Sequence, residues 1–248
     1  MTAAVLELIG ANRVHGTGRT AVEALKPTNL RIERGELVAI MGPSGSGKST
    51  LLSLAGALDR PTTGRVLLGD RDLATLSPRD VAIMRRRLVG YVFQELNLLP
   101  GLTARENVAL PLELDGVKLA AARAQAEAAL GEVGLARLAD RFPDDLSSGE
   151  QQRVAVARAF VGSREIVLAD EPTGALDSVT GEVVMRLLRA HCDGGATAVV
   201  VTHDASHAGW ADRVVFLRDG CIVESVGEEA PAAPGAAEPA LRIQGRES

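Results

Sequence analysis

The stretch GPSGSGKST (42–50) sets Gly42, Pro43, Ser44, Gly45, Ser46, Gly47, Lys48, Ser49 and Thr50 in the spacing G-x-x-x-x-G-K-[ST]. Glycines at those positions let a loop wrap closely, so that several backbone N–H groups converge on a phosphate. Lys48 can reach β- and γ-phosphates as a point charge, and the Ser49 hydroxyl can ligate Mg²⁺. Further along, IVLADE (166–171) is an apolar run ending in two carboxylates. Magnesium keeps several waters and takes one or two carboxylates beside phosphate oxygens. Asp170 can therefore hold a hydrated metal, and Glu171, one residue beyond, can polarise an attacking water. Read alone, the acidic pair is equally an exposed turn; the cradle upstream favours the catalytic reading. Together the two stretches imply that ATP or GTP is bound and hydrolysed.

A third stretch, LSSGEQQRVAVARA (146–159), has the makings of a second anion site. The Ser147 hydroxyl and the Gly149 N–H sit where a helix is about to begin, and helix N-termini attract anions. It has no lysine, and alone it would bind nucleotide weakly.

These residues need elements to position them. ELVAIMG (36–42), VGYVF (89–93), EIVLAD (165–170) and TAVVVTH (197–203) are short apolar runs of the kind buried on both faces of a parallel sheet. Helix-like stretches separate them, which predicts an α/β fold. Residues 5–9 and 22–32 alternate like half-buried strands, with Gly16 and Gly18 between them. Residues 212–224 read as a hairpin turning at Asp219–Gly220. Ser77-Pro78-Arg79-Asp80 is a helix start, and Arg85, Arg86 and Arg87 suit the end of that helix or, alternatively, a binding patch. Residues from about 95 to 160 form a helical insertion, and 227–248, rich in Ala, Pro and Glu, reads as a disordered tail.

Composition narrows the classes. The 248 residues suit one domain with an insertion. A net charge of −5 argues against broad nucleic-acid binding, which needs a basic stripe. Cys192 and Cys221 have no metal or disulfide spacing. No run reaches the roughly 18 apolar residues of a membrane span, and the N-terminus has no signal-peptide pattern. The expectation is a cytoplasmic protein that meets a membrane only through a partner.

In this order and spacing the stretches resemble the nucleotide-binding subunits of ATP-binding-cassette (ABC) transporters, over nearly all of residues 5–224. LSSGE is similar to the family's signature, usually LSGGQ. The resemblance implies a P-loop NTPase core with a mostly parallel sheet, an N-terminal antiparallel β subdomain and an inserted helical signature subdomain, over 5–226. It implies that Gln94 senses the γ-phosphate and joins Ser49 and Asp170 around Mg²⁺. It implies a switch role for His203, and a dimer-interface role for the loop GALD (174–177) with Asp177. Two subunits would pair head to tail, each ATP lying between one cradle and the other chain's Ser147, Ser148, Gly149 and Glu150. The homodimer would then drive a separately encoded permease from the inner face of the cell membrane.

NLLPGLTARENVALPL (97–112), residues 166–178 and VVVTHD (199–204) resemble the group serving lipoprotein release and macrolide or peptide export with FtsX-like permeases. A soluble ABC ATPase, for example in iron–sulfur assembly, is the alternative. Departures from the family pattern are Ser148 and Glu150 in the signature, and His15 where a stacking aromatic against adenine is common. Ser148 is expected to cost the loop backbone freedom, and Glu150 to bring negative charge near the triphosphate.

Overall fold

Each apolar run becomes a strand of one central sheet. The computed structural model describes residues 4–227. In chain order the elements are β1 (Ala4–His15), β2 (Val22–Glu33), β3 (Leu37–Met41), α1 (Lys48–Ala55), β4 (Thr63–Leu68), β5 (Arg71–Asp72), α2 (Pro78–Leu88), β6 (Val89–Val92), α3 (Ala104–Leu114), α4 (Leu119–Glu132), α5 (Ser148–Phe160), β7 (Ile166–Asp170), α6 (Ser178–Asp193), β8 (Thr197–Val201), α7 (Ala205–Ala208), β9 (Arg213–Arg218) and β10 (Cys221–Gly227). The central sheet has the order β10-β9-β3-β8-β7-β6 and is parallel except for β10, which turns back on β9. A second, antiparallel sheet has the order β2-β1-β4-β5. This is the expected α/β P-loop NTPase architecture. β10 includes Gly227, one residue beyond the expected domain end; the tail reading otherwise concerns residues outside those described.

Strand alternation splits the core in two, because successive side chains leave a strand on opposite faces. Val167 and Ala169 of β7, with Ala198 and Val200 of β8, face a cluster built with α3, α4, α5 and α6. Ile166 and Leu168, with Val199 and Val201, face a cluster built with the antiparallel sheet, α1 and α2. A sheet covered on both sides has no place for polar alternation, which is why its strands are almost wholly apolar. Close approach also selects residues: a Cβ on Gly90 of β6 would stand 2.0 Å from the Ala159 carbonyl oxygen of α5.

Polar side chains fix the helices. Ser77 accepts the Asp80 N–H and caps α2, and Thr103 with Glu106 forms a reciprocal capping box on α3. Arg85, Arg86 and Arg87 do not form an outward patch. Arg85 donates to the Ala57 carbonyl, while Arg86 and Arg87 both bond Asp115 at the end of α3, holding its carboxyl below the usual range. Fully buried Asn107 of α3 accepts from the Leu99 N–H and donates to the carbonyls of Leu99, Leu102 and Thr103, pinning the loop after β6. No helix among the described residues is long and apolar enough to cross a membrane.

Candidate active site

In a parallel sheet all strands end on one side, and ligands collect in the crevice outside their carboxyl ends. β3, β7 and β8 lie side by side, with Ile40 and Asp170 both in register with Val201. The segments that follow them therefore converge. They line one cavity of about 1100 Å³ containing Gly42, Pro43, Ser44, Gly45, Gly47, Lys48, Ser49, Thr50, Gln94, Asp170, Glu171 and His203.

The cradle depends on two glycines. Gly42 (φ 151) and Gly47 (φ 102) have backbone conformations that L side chains rarely adopt, and added Cβ atoms would lie 2.0 Å from the Leu217 carbonyl oxygen and 2.4 Å from that of Ala24. Gly47 is also the N-cap of α1, so no side chain covers the first N–H groups of that helix. Lys48 Nζ donates to the carbonyls of Gly42 and Pro43 at 2.9 Å each, folding the ammonium over the loop. The loop is braced from behind. The Gly220 N–H donates to the Ser46 carbonyl, and the Gly220 carbonyl accepts from the Lys26 N–H. The Asp219–Gly220 turn (φ 49 and 77) thus supports the cradle as well as closing the β9–β10 hairpin. Ser46 itself is buried behind the loop and is not part of the cavity wall.

Across the cavity, Asp170 ends β7. Burial pushes its carboxyl above the usual range, partly offset by a hydrogen bond with Ser49 and raised further by neighbouring Glu171. Glu171 has a left-handed backbone (φ 47), unusual for a glutamate, and its N–H donates to the Val201 carbonyl. Its carboxylate meets His203 Nδ1 at 2.9 and 3.1 Å. Backbone strain of this kind concentrates at functional sites. The donor set suits magnesium: Ser49, Gln94 and Asp170 offer oxygen only, and a partly buried carboxylate gains most from a nearby cation.

The signature residues lie elsewhere. Ser147, Ser148, Gly149 and Glu150 are absent from the cavity wall. Ser147 caps α5, and its hydroxyl and N–H both donate to Glu150 Oε2, at 2.9 and 2.8 Å. The Glu150 carboxylate is folded back onto Ser147, and the Ser147 N–H bond holds it below the usual range. Ser148 is the first helical residue of α5 and has no positive φ. Gly149 faces α6, where an added Cβ would stand 2.7 Å from Thr180 Cγ2. Asp177 caps α6 by accepting the Thr180 N–H and hydroxyl. His15 is exposed at the end of β1 and is not in the cavity wall; it pairs with Val22, two residues before wall residue Ala24.

Sequence reasoning missed wall residues Ala24, Glu95 and Gln152, while Gly174 and Ala175 of the loop read only as a dimer interface also line the wall. Ala24 comes from the other sheet and carries no local signal. Gln152 lies within the signature stretch, one helical turn beyond the residues read as its anion site.

Residues 25–174 match the family model described as ABC transporter. The Macrolide export ATP-binding/permease protein MacB of Hyphomonas neptunium is 45% identical over 233 residues, covering 94% of this chain and 36% of the relative. That of Rhodospirillum rubrum is 46% identical over 227 residues, covering 92% and 35%. The chain thus spans roughly a third of these curated relatives' length. Among solved structures, the dimeric post-hydrolysis state of the ATP-binding cassette MJ0796 bound to ADP and Pi superimposes with a TM-score of 0.84, at 42% identity over 91% of this chain and 99% of that one. The cbiO1 structure from Clostridium perfringens, part of the transporter complex cbiONQ, has a TM-score of 0.80 at 27% identity, covering 90% and 88%. With the cradle, the acidic strand end and the signature helix in place on this fold, the chain belongs to the ABC transporter family as an ATP-binding, ATP-hydrolysing cassette.

Proposed function

We propose that two copies of this cassette close head to tail around two ATP molecules and drive a membrane permease in export or extracytoplasmic work on a lipoprotein, peptide or drug. The observation that carries the reading is the separation of the two half-sites. Lys48, Asp170 and Glu171 share one cavity, while Ser147–Glu150 stand outside it at the start of α5. A helix start that cannot serve its own chain's nucleotide is suited to a second chain's. The MJ0796 cassette, named as dimeric, supports the pairing for this chain, and the macrolide-export relatives support transport over a soluble role.

In this reading the cradle and Lys48 hold the β- and γ-phosphates, and α1 directs its N-terminal dipole at them. Ser49, Gln94 and Asp170 would hold Mg²⁺, which when bound neutralises charge on the phosphate oxygens. Glu171 takes a proton from the attacking water, and His203 fixes the direction of its carboxylate. His15, at the cavity's β-hairpin side, stacks on adenine. The Gly149 N–H and the opening turn of α5 meet the γ-phosphate held by the second copy.

Affinity purification from membranes in mild detergent tests the partner. Recovery of a multispanning permease is expected, and recovery of only soluble proteins would overturn the transport reading.

A further inference from the structure

Gln152 of α5 lines the cavity and is 5% exposed, yet its Nε2 has no hydrogen-bond partner among the described residues. The adjacent amide behaves differently. Gln151 Nε2 donates to the carbonyls of Pro143 and Leu146, at 2.8 and 3.2 Å, and so holds the turn before α5. Buried amide hydrogens are nearly always paired, and an unpaired one destabilises the fold. A leucine of similar volume would fill the same space without that penalty. Packing therefore does not account for a glutamine here, whereas a hydrogen-bonding ligand in the cavity does.

The position of Gln152 gives that bond a consequence. α5 runs unbroken from Ser148 to Phe160, and its N-terminal turn is the signature. Arg158 of the same helix donates to the carbonyls of Leu96 and Asn97 at 2.7 Å each, tying α5 to the segment that follows Gln94. One helix thus touches its own chain's nucleotide cavity through Gln152, while its start stands outside that cavity.

We propose that Gln152 is a positioning residue that reports a nucleoside triphosphate in its own chain's cavity to that chain's signature. Its carboxamide N–H donates to the polar shell of the γ-phosphate, and that bond is lost with the diphosphate. α5 is then set for docking on a second copy only when ATP occupies the chain's own cradle, which couples the two sites. The inference rests on the two-copy ATPase reading above.

The test compares Gln152→Leu with the parent. ATP and ADP affinities are measured calorimetrically in the Glu171→Gln background, and the Hill coefficient for ATP is measured with Glu171 intact. Gln152→Leu is expected to melt no lower than the parent and bind ADP equally. Its ATP affinity is expected to fall about tenfold, the loss of one charge-assisted hydrogen bond, with the Hill coefficient moving toward 1. Gln152→Met serves if the leucine variant does not fold. An unchanged ATP-to-ADP affinity ratio with an unchanged Hill coefficient overturns the proposal. So does an equal loss of both affinities with a lowered melting temperature, which marks a structural role. A parent that fails to hydrolyse ATP overturns the underlying reading as well, whereas an active parent with an indifferent Gln152→Leu overturns this inference alone.

Discussion

His203 Nδ1 lies 2.9 Å from Glu171 Oε2, joining the segments that follow two neighbouring parallel strands; the imidazole is 74% exposed and the carboxylate only 16%. The carboxylate is thus set from two sides. Its backbone is held at φ 47 by the bond from its N–H to the Val201 carbonyl, and its side chain is held by a histidine that solvent can reach. An exposed ring in this role can swing away cheaply, which suits the switch proposed for His203 at the carboxylate proposed as general base.

Glu171→Gln is expected to keep ATP binding and reduce phosphate release by at least ~10²-fold, the usual contribution of a general base. It should also accumulate a closed dimer with ATP, visible by size-exclusion chromatography. A near-parental rate would remove Glu171 from its proposed role.

His203→Ala is expected to lower turnover with little change in ATP affinity. Because the two side chains act as one unit, adding His203→Ala to Glu171→Gln should cost far less than it costs alone. Independent, multiplying losses of rate would contradict an orienting role for His203.

Asp170→Asn tests burial at the metal position. A carboxyl whose folded-state pKa is raised contributes most while protonated, and that contribution is lost as pH rises from about 4, its unfolded value, through the raised one. In chelator at pH 7 the Asn variant should therefore melt above the parent, and the gap should close near pH 4. Added Mg²⁺ with nucleotide should stabilise the parent and leave Asp170→Asn unmoved. A lower melting temperature for the variant in chelator at pH 7 would refute the argument.

The capping box at α5 predicts opposite outcomes for two signature changes. Glu150→Gln preserves the box geometry and should be nearly neutral, whereas Glu150→Ala should destabilise by about 1 kcal/mol through loss of the reciprocal bonds. Ser148→Gly relieves no strain, so it should not increase the dimer fraction in the Glu171→Gln background. A clear gain in dimer from Ser148→Gly would show that Ser148 obstructs the interface.

His15→Ala is expected to raise the apparent KM for ATP severalfold, and His15→Tyr to lower it, since phenol stacks better than imidazole. Equal ATP titrations for all three would place adenine away from the end of β1.

The sequence by itself determined the phosphate chemistry and the elements that carry it. The cradle, the acidic strand end and the signature are local patterns, and glycine spacing, apolar runs and capping residues act within a few residues of themselves. What only the tertiary structure decided depends on contacts between distant segments. The Asp219–Gly220 turn reads as an ordinary hairpin until Gly220 is found bonded to Ser46 and Lys26. Arg86 and Arg87 read as a helix end with a patch as the alternative until Asp115 is found between them. Glu150 reads only as a negative charge in the signature until its bonds to Ser147 are seen. Gln152 is one polar residue among several in its stretch, and only the packing of α5 beside β6 and β7 turns it to the cavity wall. Local physics fixes which residues can do chemistry; burial and long-range hydrogen bonding fix which of them face the same space.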